Sequence, residues 1–239
     1  MSSCMKIQKR PIKIVIIDSG VDTSVSDINK YLVKSTGFKI NEEGYIVEDS
    51  LKEIRHLHGT VISLIIRQLC EYVQFISMNI LNERLTADGR VLLYAMGKAV
   101  LYKPDIIHLS LGTTNWRYIF QIKKLIRKAS RNNILIVSSL DNDGEKSYPA
   151  CLKGVVGVKA DTSAKFHTFG FEGDYFYAPF RADGISGMNE IAANDHFAGT
   201  SISAAHITGH FANEMYYGNI NSVKKIINHM KSISLNNLN

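Results

Sequence analysis

Short runs of branched apolar residues alternate along the chain with stretches whose apolar positions recur every three or four residues. Ile12 to Ile17 is one such run, ending at Asp18, and it reads as a strand buried on both faces. Gly37 to Val47 reads as a hairpin or irregular excursion with Gly44 near its turn. Gly59 to Leu69 suits a buried helix, and Tyr72 to Ile80 a second strand. Asp88 can cap a helix that runs to about Tyr102, where Lys103-Pro104 ends it. Asp105 to Leu109 is a further strand, followed by an amphipathic helix from a cap at Asn115 to about Arg131. Ile134 to Val137 and Val155 to Val158 continue the strand series. Ser201 to Tyr217 reads as a helix rich in small residues, Asn221 to Ser232 as a closing helix, and Leu235 to Asn239 as a frayed end.

This alternation predicts an α/β fold: a three-layer sandwich with a mostly parallel central sheet and helices on both faces. Right-handed crossovers put the C-terminal ends of the strands on one side, where α/β sheets hold their sites. Asp18 lies at such an end, and Ser110 and Asn142 follow other strands. At 239 residues, with no repeat, low-complexity tract or linker, the chain is expected to form one domain over 1–239.

Composition narrows the class. Apolar residues at 45% and charged residues at 21% fit a globular protein and exclude a disordered one. The net charge of +6 comes from scattered Lys and Arg without a modular nucleic-acid signature, so a solvated basic surface is expected and no nucleic-acid partner. Cys4, Cys70 and Cys151 are odd in number and widely spaced, which gives neither a disulfide framework nor a metal pair. Reduced thiols, no apolar signal segment in Met1 to Arg10, and no apolar run of membrane-spanning length point to a cytoplasmic protein that does not engage a membrane.

Three local sequences carry candidate chemistry. Asp18-Ser19-Gly20 follows the first strand, His58-Gly59-Thr60 opens the first buried helix, and Gly199-Thr200-Ser201 opens the small-residue helix. A serine hydroxyl attacks only when an imidazole takes its proton, and the imidazole needs a carboxylate to fix its tautomer. Ser201 as nucleophile, His58 as base and Asp18 as orienting acid satisfy that need. Ser201 near a helix N-terminus also gains a positive local potential. Each residue alone has a plainer reading: Asp18 as a strand-end turn residue, His58 as a cap or core histidine, Ser201 as an N-cap. His56 is the competing base but lacks the Gly-Thr that follows His58, and Ser203 lies on another helix face. His206 reads as structural, Asp22 as a turn or cap residue, and Cys151 as a small buried residue.

These segments resemble, in the order Asp, His, Ser, the three signatures of the subtilisin family (subtilases). Ile14 to Thr23, His58 to Thr60 and Gly199 to His206 resemble its aspartate, histidine and serine segments, with Ala205 where the family usually has proline. Leu109-Ser110-Leu111-Gly112 resembles its substrate-pairing edge strand, and Asn142 its oxyanion-hole asparagine, ahead of Tyr148-Pro149-Ala150. The likeness spans roughly residues 12–210. It implies a serine endopeptidase that works through an acyl-enzyme with Asp18, His58 and Ser201. Asn142 and the Ser201 backbone N–H would stabilise the oxyanion, where losing one donor typically costs about 10²–10³ in rate. Ser110, Leu111, Gly112, Ser139, Leu140 and Asp141 would bind a peptide or protein substrate, partly by β-augmentation.

The family often carries a calcium-binding loop between its histidine and the next strand. Here the helix runs straight to Glu71-Tyr72, so no calcium is expected there, and no cofactor or metal elsewhere. The secreted relatives' signal and folding propeptide are not seen, which suggests a processing protease that trims a precursor or leader peptide inside a cell. A further partner protein is compatible with this reading. Asp143 and Glu145 border the expected S1 pocket and could favour a basic P1 residue, with solvated loop acids as the alternative. The competing function is a regulatory or binding pseudoprotease on the same fold, against which the complete residue set argues. An esterase ranks last, because the GxSxG elbow is missing.

Overall fold

A computed structural model describes residues 9–49, 52–142, 146–191 and 197–236. Nine strands form one sheet: β1 (Ile12–Asp18), β2 (Leu32–Ile40), β3 (Ile46–Glu48), β4 (Val73–Asn79), β5 (Ile106–Leu109), β6 (Leu135–Ser139), β7 (Val156–Asp161), β8 (Gly170–Glu172) and β9 (Tyr175–Pro179). Their spatial order is β3-β2-β4-β1-β5-β6-β7-β9-β8. The seven inner strands run parallel, and each edge is closed by a short antiparallel partner, β3 on β2 and β8 on β9. Among the described residues, five α-helices cover the sheet: α1 (His58–Leu69), α2 (Gly89–Leu101), α3 (Ile119–Arg131), α4 (Thr200–Tyr217) and α5 (Val223–Asn236). Among the described residues, no helix is long and apolar enough to cross a membrane.

The period of two along each strand divides the core into two layers. Ile12, Ile14 and Ile16 of β1 pack with α1 and α4 residues such as Ile62, Ile65, Ile202 and Phe211. Val15 and Ile17 face the other way, into a layer built with Val91, Met96, Ile122 and Ile126 of α2 and α3. Asp18 continues the even-numbered series and so falls on the α1–α4 side. β5 divides in the same way: Ile106 joins the first layer, Ile107 and Leu109 the second. His108, and Ser110 just beyond it, therefore also face α4.

Most predicted elements lie where the pattern puts them, with small differences at their ends. Asp88 caps α2 by accepting from Arg90 N. Asn115 caps a single 3₁₀ turn, Trp116–Tyr118, and α3 begins only after it. The closing helix starts two residues later than expected and runs on to Asn236. β8 and β9 were not anticipated.

Candidate active site

Asp18 is the last residue of β1 and His58 the first of α1, and the loops that carry them interlock. Ser19 is the clasp: its hydroxyl donates to the His56 carbonyl at 2.8 Å and accepts from Gly59 N at 3.0 Å. Thr60 Oγ1 accepts from Asp22 N at 2.9 Å. A Cβ on Gly59 would come within 2.3 Å of the Gly20 carbonyl, so only glycine lets the helix start this close to β1. The outcome is a carboxylate with both oxygens on one ring nitrogen: His58 Nδ1 lies 2.9 Å from Asp18 Oδ1 and 3.0 Å from Oδ2. Ser19 N donates to the same carboxylate at 2.6 Å. His56 is directed elsewhere, with Nε2 2.6 Å from the Glu83 carbonyl.

Burial and charge compete at this pair. Asp18 is buried, which drives its pKa up, but the His58 charge and hydrogen bonds from His58, Ser110 and Ser19 outweigh that and hold it at about 2. For His58, burial disfavours the charged ring, and the charge and hydrogen bond of Asp18 still leave its pKa raised above the ordinary 6.5. Both partners therefore favour the ionised pair.

Ser201 is the second residue of α4. Its hydroxyl donates to the Ser110 carbonyl at 2.9 Å. Thr200 fixes Asn142 from the same turn. Its backbone N–H and its hydroxyl lie 2.9 and 3.1 Å from Asn142 Oδ1, and the hydroxyl also donates to the Leu140 carbonyl at 2.6 Å. With Oδ1 tied down in this way, the donor end of the Asn142 amide is the one left for the cleft. His58, Asn142 and Ser201 line one cavity of about 380 Å³. Residues 110–112 beyond β5 and residues 139–142, from the last residue of β6 onward, line it from two sides. An oriented imidazole, a hydroxyl at a helix start and an amide donor in one cleft are the parts that acyl transfer needs.

Every predicted site residue in the described segments thus reaches this cleft, with Asp18 buried beneath it. Residues 110–112 extend past the end of β5 rather than forming a strand of their own. They are held by a two-bond bridge between Thr113 and Tyr148, at 2.8 and 2.9 Å. A Cβ on Gly112 would meet the Tyr148 carbonyl at 2.8 Å, so glycine keeps this wall flat. Asp143 and Glu145 lie outside the described residues, as does Cys4. Ser203 donates to the Pro179 carbonyl, His206 is buried, and Asp22 accepts from Ser24, so all three have structural surroundings.

Three functional neighbours were missed from sequence. Ser147 lines the cleft with a buried hydroxyl that has no hydrogen-bond partner among the described residues. Thr200 orients Asn142. His108 is wholly buried behind Ser110, with Nε2 2.8 Å from Ser110 Oγ and Nδ1 2.8 Å from Thr208 Oγ1. The signal for His108 was a titratable residue inside an apolar strand, two positions before Ser110 and so on the same face.

The model of the subtilase family matches residues 9–231. The chain is 23% identical over 224 residues to the major intracellular serine protease of Bacillus subtilis, covering 86% of this chain and 69% of that protein. It spans about half of the length of several other curated relatives that it matches, and less than a third of one. Its fold is similar to that of the epidermin leader peptide processing serine protease of Staphylococcus aureus, with a TM-score of 0.70 and 18% identity over 92% of this chain and 69% of the other. A lanthipeptide protease is also similar, with a TM-score of 0.63 and 19% identity over 90% of this chain and 77% of the other.

Proposed function

This chain belongs to the subtilase family of serine proteases, and we propose that it is an endopeptidase with Asp18, His58 and Ser201 as its catalytic triad. The observation that carries the reading is the Asp18 carboxylate on His58 Nδ1 at 2.9 and 3.0 Å, with Ser201 in the same cleft. The carboxylate keeps the proton of neutral His58 on Nδ1, which leaves Nε2 as the base. To attack, Ser201 Oγ exchanges the Ser110 carbonyl for His58 Nε2 and adds to the scissile carbonyl carbon as its proton passes to the ring. The carbonyl oxygen becomes an oxyanion between the Asn142 amide and the Ser201 N–H, with the N-terminus of α4 adding positive potential. His58 then returns the proton to the leaving amine. Water repeats the cycle on the acyl-enzyme and frees Ser201.

The substrate is a peptide held in extended form along residues 110–112. A processing role, in which one precursor or leader peptide is trimmed, is supported by the likeness in fold to a leader peptide processing protease. Cys70 and Cys151 are free thiols, in keeping with a reducing, cytosolic site of action.

Digestion of a peptide library, read by mass spectrometry, tests activity and specificity together. The wild type is expected to cut and to be labelled by a fluorophosphonate probe, and Ser201→Ala to do neither. An unlabelled wild type, or equal labelling of Ser201→Ala, would instead favour the pseudoprotease reading.

A further inference from the structure

The Lys and Arg that read as scattered along the sequence gather on α3 in the fold. Arg117 stands in the turn before the helix, followed by Lys123, Lys124, Arg127, Lys128 and Arg131, all exposed. No Asp or Glu lies between Asp105 and Asp141. None of the six cations is in an ion pair among the described residues. Ile122, Ile126 and Ala129 face the core, so the helical period turns Phe120, Lys124, Arg127, Lys128 and Arg131 outward as one stripe. Charge alone would leave this an ordinary solvated surface, but two further observations give it a direction. Trp116 and Phe120, one turn apart at the start of the stripe, are 71% and 73% exposed, and adjacent exposed aromatics mark a contact surface. The stripe also begins at the cleft. The Ser110 carbonyl accepts from Ser201 Oγ, residues 111, 112 and 114 line the cavity as the chain leads away from it, and Trp116 follows.

We propose that this face is a second contact for the substrate: an acidic segment with one or two apolar side chains, next to the stretch held along residues 110–112, docks on Trp116, Phe120 and the cationic stripe. This rests on the endopeptidase reading above. Apolar side chains of the segment cover the two aromatic rings, and its carboxylates pair with the cations beyond them. α3 rises about 20 Å over its length, which about six extended residues span. Between two precursors with the same cut sequence, the enzyme then favours the one with an acidic region beside the cut. Contacts this far from the reacting atoms hold substrate and transition state alike, so the preference is carried by KM.

The test takes one peptide found by library digestion and extends it with Glu-Leu-Glu-Glu-Leu-Glu before the cut, with the same segment after the cut, or with Ser-Gly repeats. In one of the two acidic placements KM is expected to fall about 5–10-fold below the Ser-Gly peptide with kcat unchanged, and high salt to erase the gain. Lys124→Glu/Lys128→Glu should erase it too while cutting the Ser-Gly peptide as the wild type does. Lys224→Glu/Lys225→Glu, an equal change of charge at exposed positions of α5, should keep it. Trp116 is the only tryptophan of the chain, so its emission reports on this face alone. Ser201→Ala holds the extended peptide uncut, and its emission should shift to the blue with the acidic segment and not with Ser-Gly. An unchanged KM, an unmoved emission, or a gain lost equally in both charge variants overturns the inference alone. Vesicles of anionic lipid that shift the emission where the acidic peptide does not would give the face to a membrane surface, and overturn it as well. A wild type that neither cleaves nor takes the fluorophosphonate label overturns the endopeptidase reading, and with it the place of a substrate on this face.

Discussion

The Asp18–His58 pair sets the working pH. His58 can take a proton from Ser201 only when neutral, and Asp18 holds its pKa above the ordinary 6.5. The acid limb of kcat/KM is therefore expected to have its midpoint above 6.5, with activity rising as pH rises through it. Asp18→Asn keeps the size of the side chain but offers an amide where a carboxylate accepted. It is expected to lower kcat by on the order of 10⁴, and to let the limb fall back toward an unpaired imidazole if residual activity allows it to be followed. A pH–rate profile of peptide cleavage checks both; a wild-type limb at or below 6.5 would contradict the pairing.

At the scale of elements, the site depends on two chain segments meeting without a gap. Gly59→Ala would place a methyl 2.3 Å from the Gly20 carbonyl, and backbone there cannot yield cheaply. The start of α1 must then move away from β1, at a cost of about 1–3 kcal/mol, and His58 moves with it. The variant should lower both the denaturant midpoint and kcat, measured by urea unfolding and peptide cleavage; a wild-type value for both would show that the contact relaxes freely. The same elements show what was legible in the sequence. β1, β4 to β7, and α1 to α4 announce themselves by dense apolar runs or helical spacing, because they face a core on one or both sides. β8 and β9 do not: they are three and five residues long, β8 is an edge strand without a buried residue, and β9 mixes buried with half-buried positions. Asp18, His58 and Ser201 were legible because each stands in a short motif at an element boundary. Thr200 and His108 make long-range hydrogen bonds across the fold, to Asn142 and Thr208, and no local pattern reports such contacts.

The whole molecule places the cleft where the sheet order turns. From β1 the chain builds β2, β3 and β4 to one side and then crosses to β5 on the other, so the strand ends of β1 and β5 open a crevice. Filling the α1–α4 layer beneath it are histidines that other folds would leave at the surface. Burial lowers the pKa of His108 and His206 to about 4 and of His210 to about 3. His210 Nε2 has no hydrogen-bond partner among the described residues, and its ring lies against Phe169. In the unfolded chain each would titrate near 6.5. Between about 6.5 and 4 the unfolded state thus binds more protons than the native state, and stability falls as pH falls. His58 opposes this, since its raised pKa makes the native state the better proton binder around neutrality. Asp18, with a native pKa of about 2, adds its own loss only below about 4. Three rings against one predict a urea midpoint that declines from pH 7 to pH 4.5. His210→Leu, which removes one of the three proton sinks, should flatten that decline, whatever it does to stability at pH 8. A midpoint independent of pH over this range would mean that the buried rings take up protons without unfolding the layer around them.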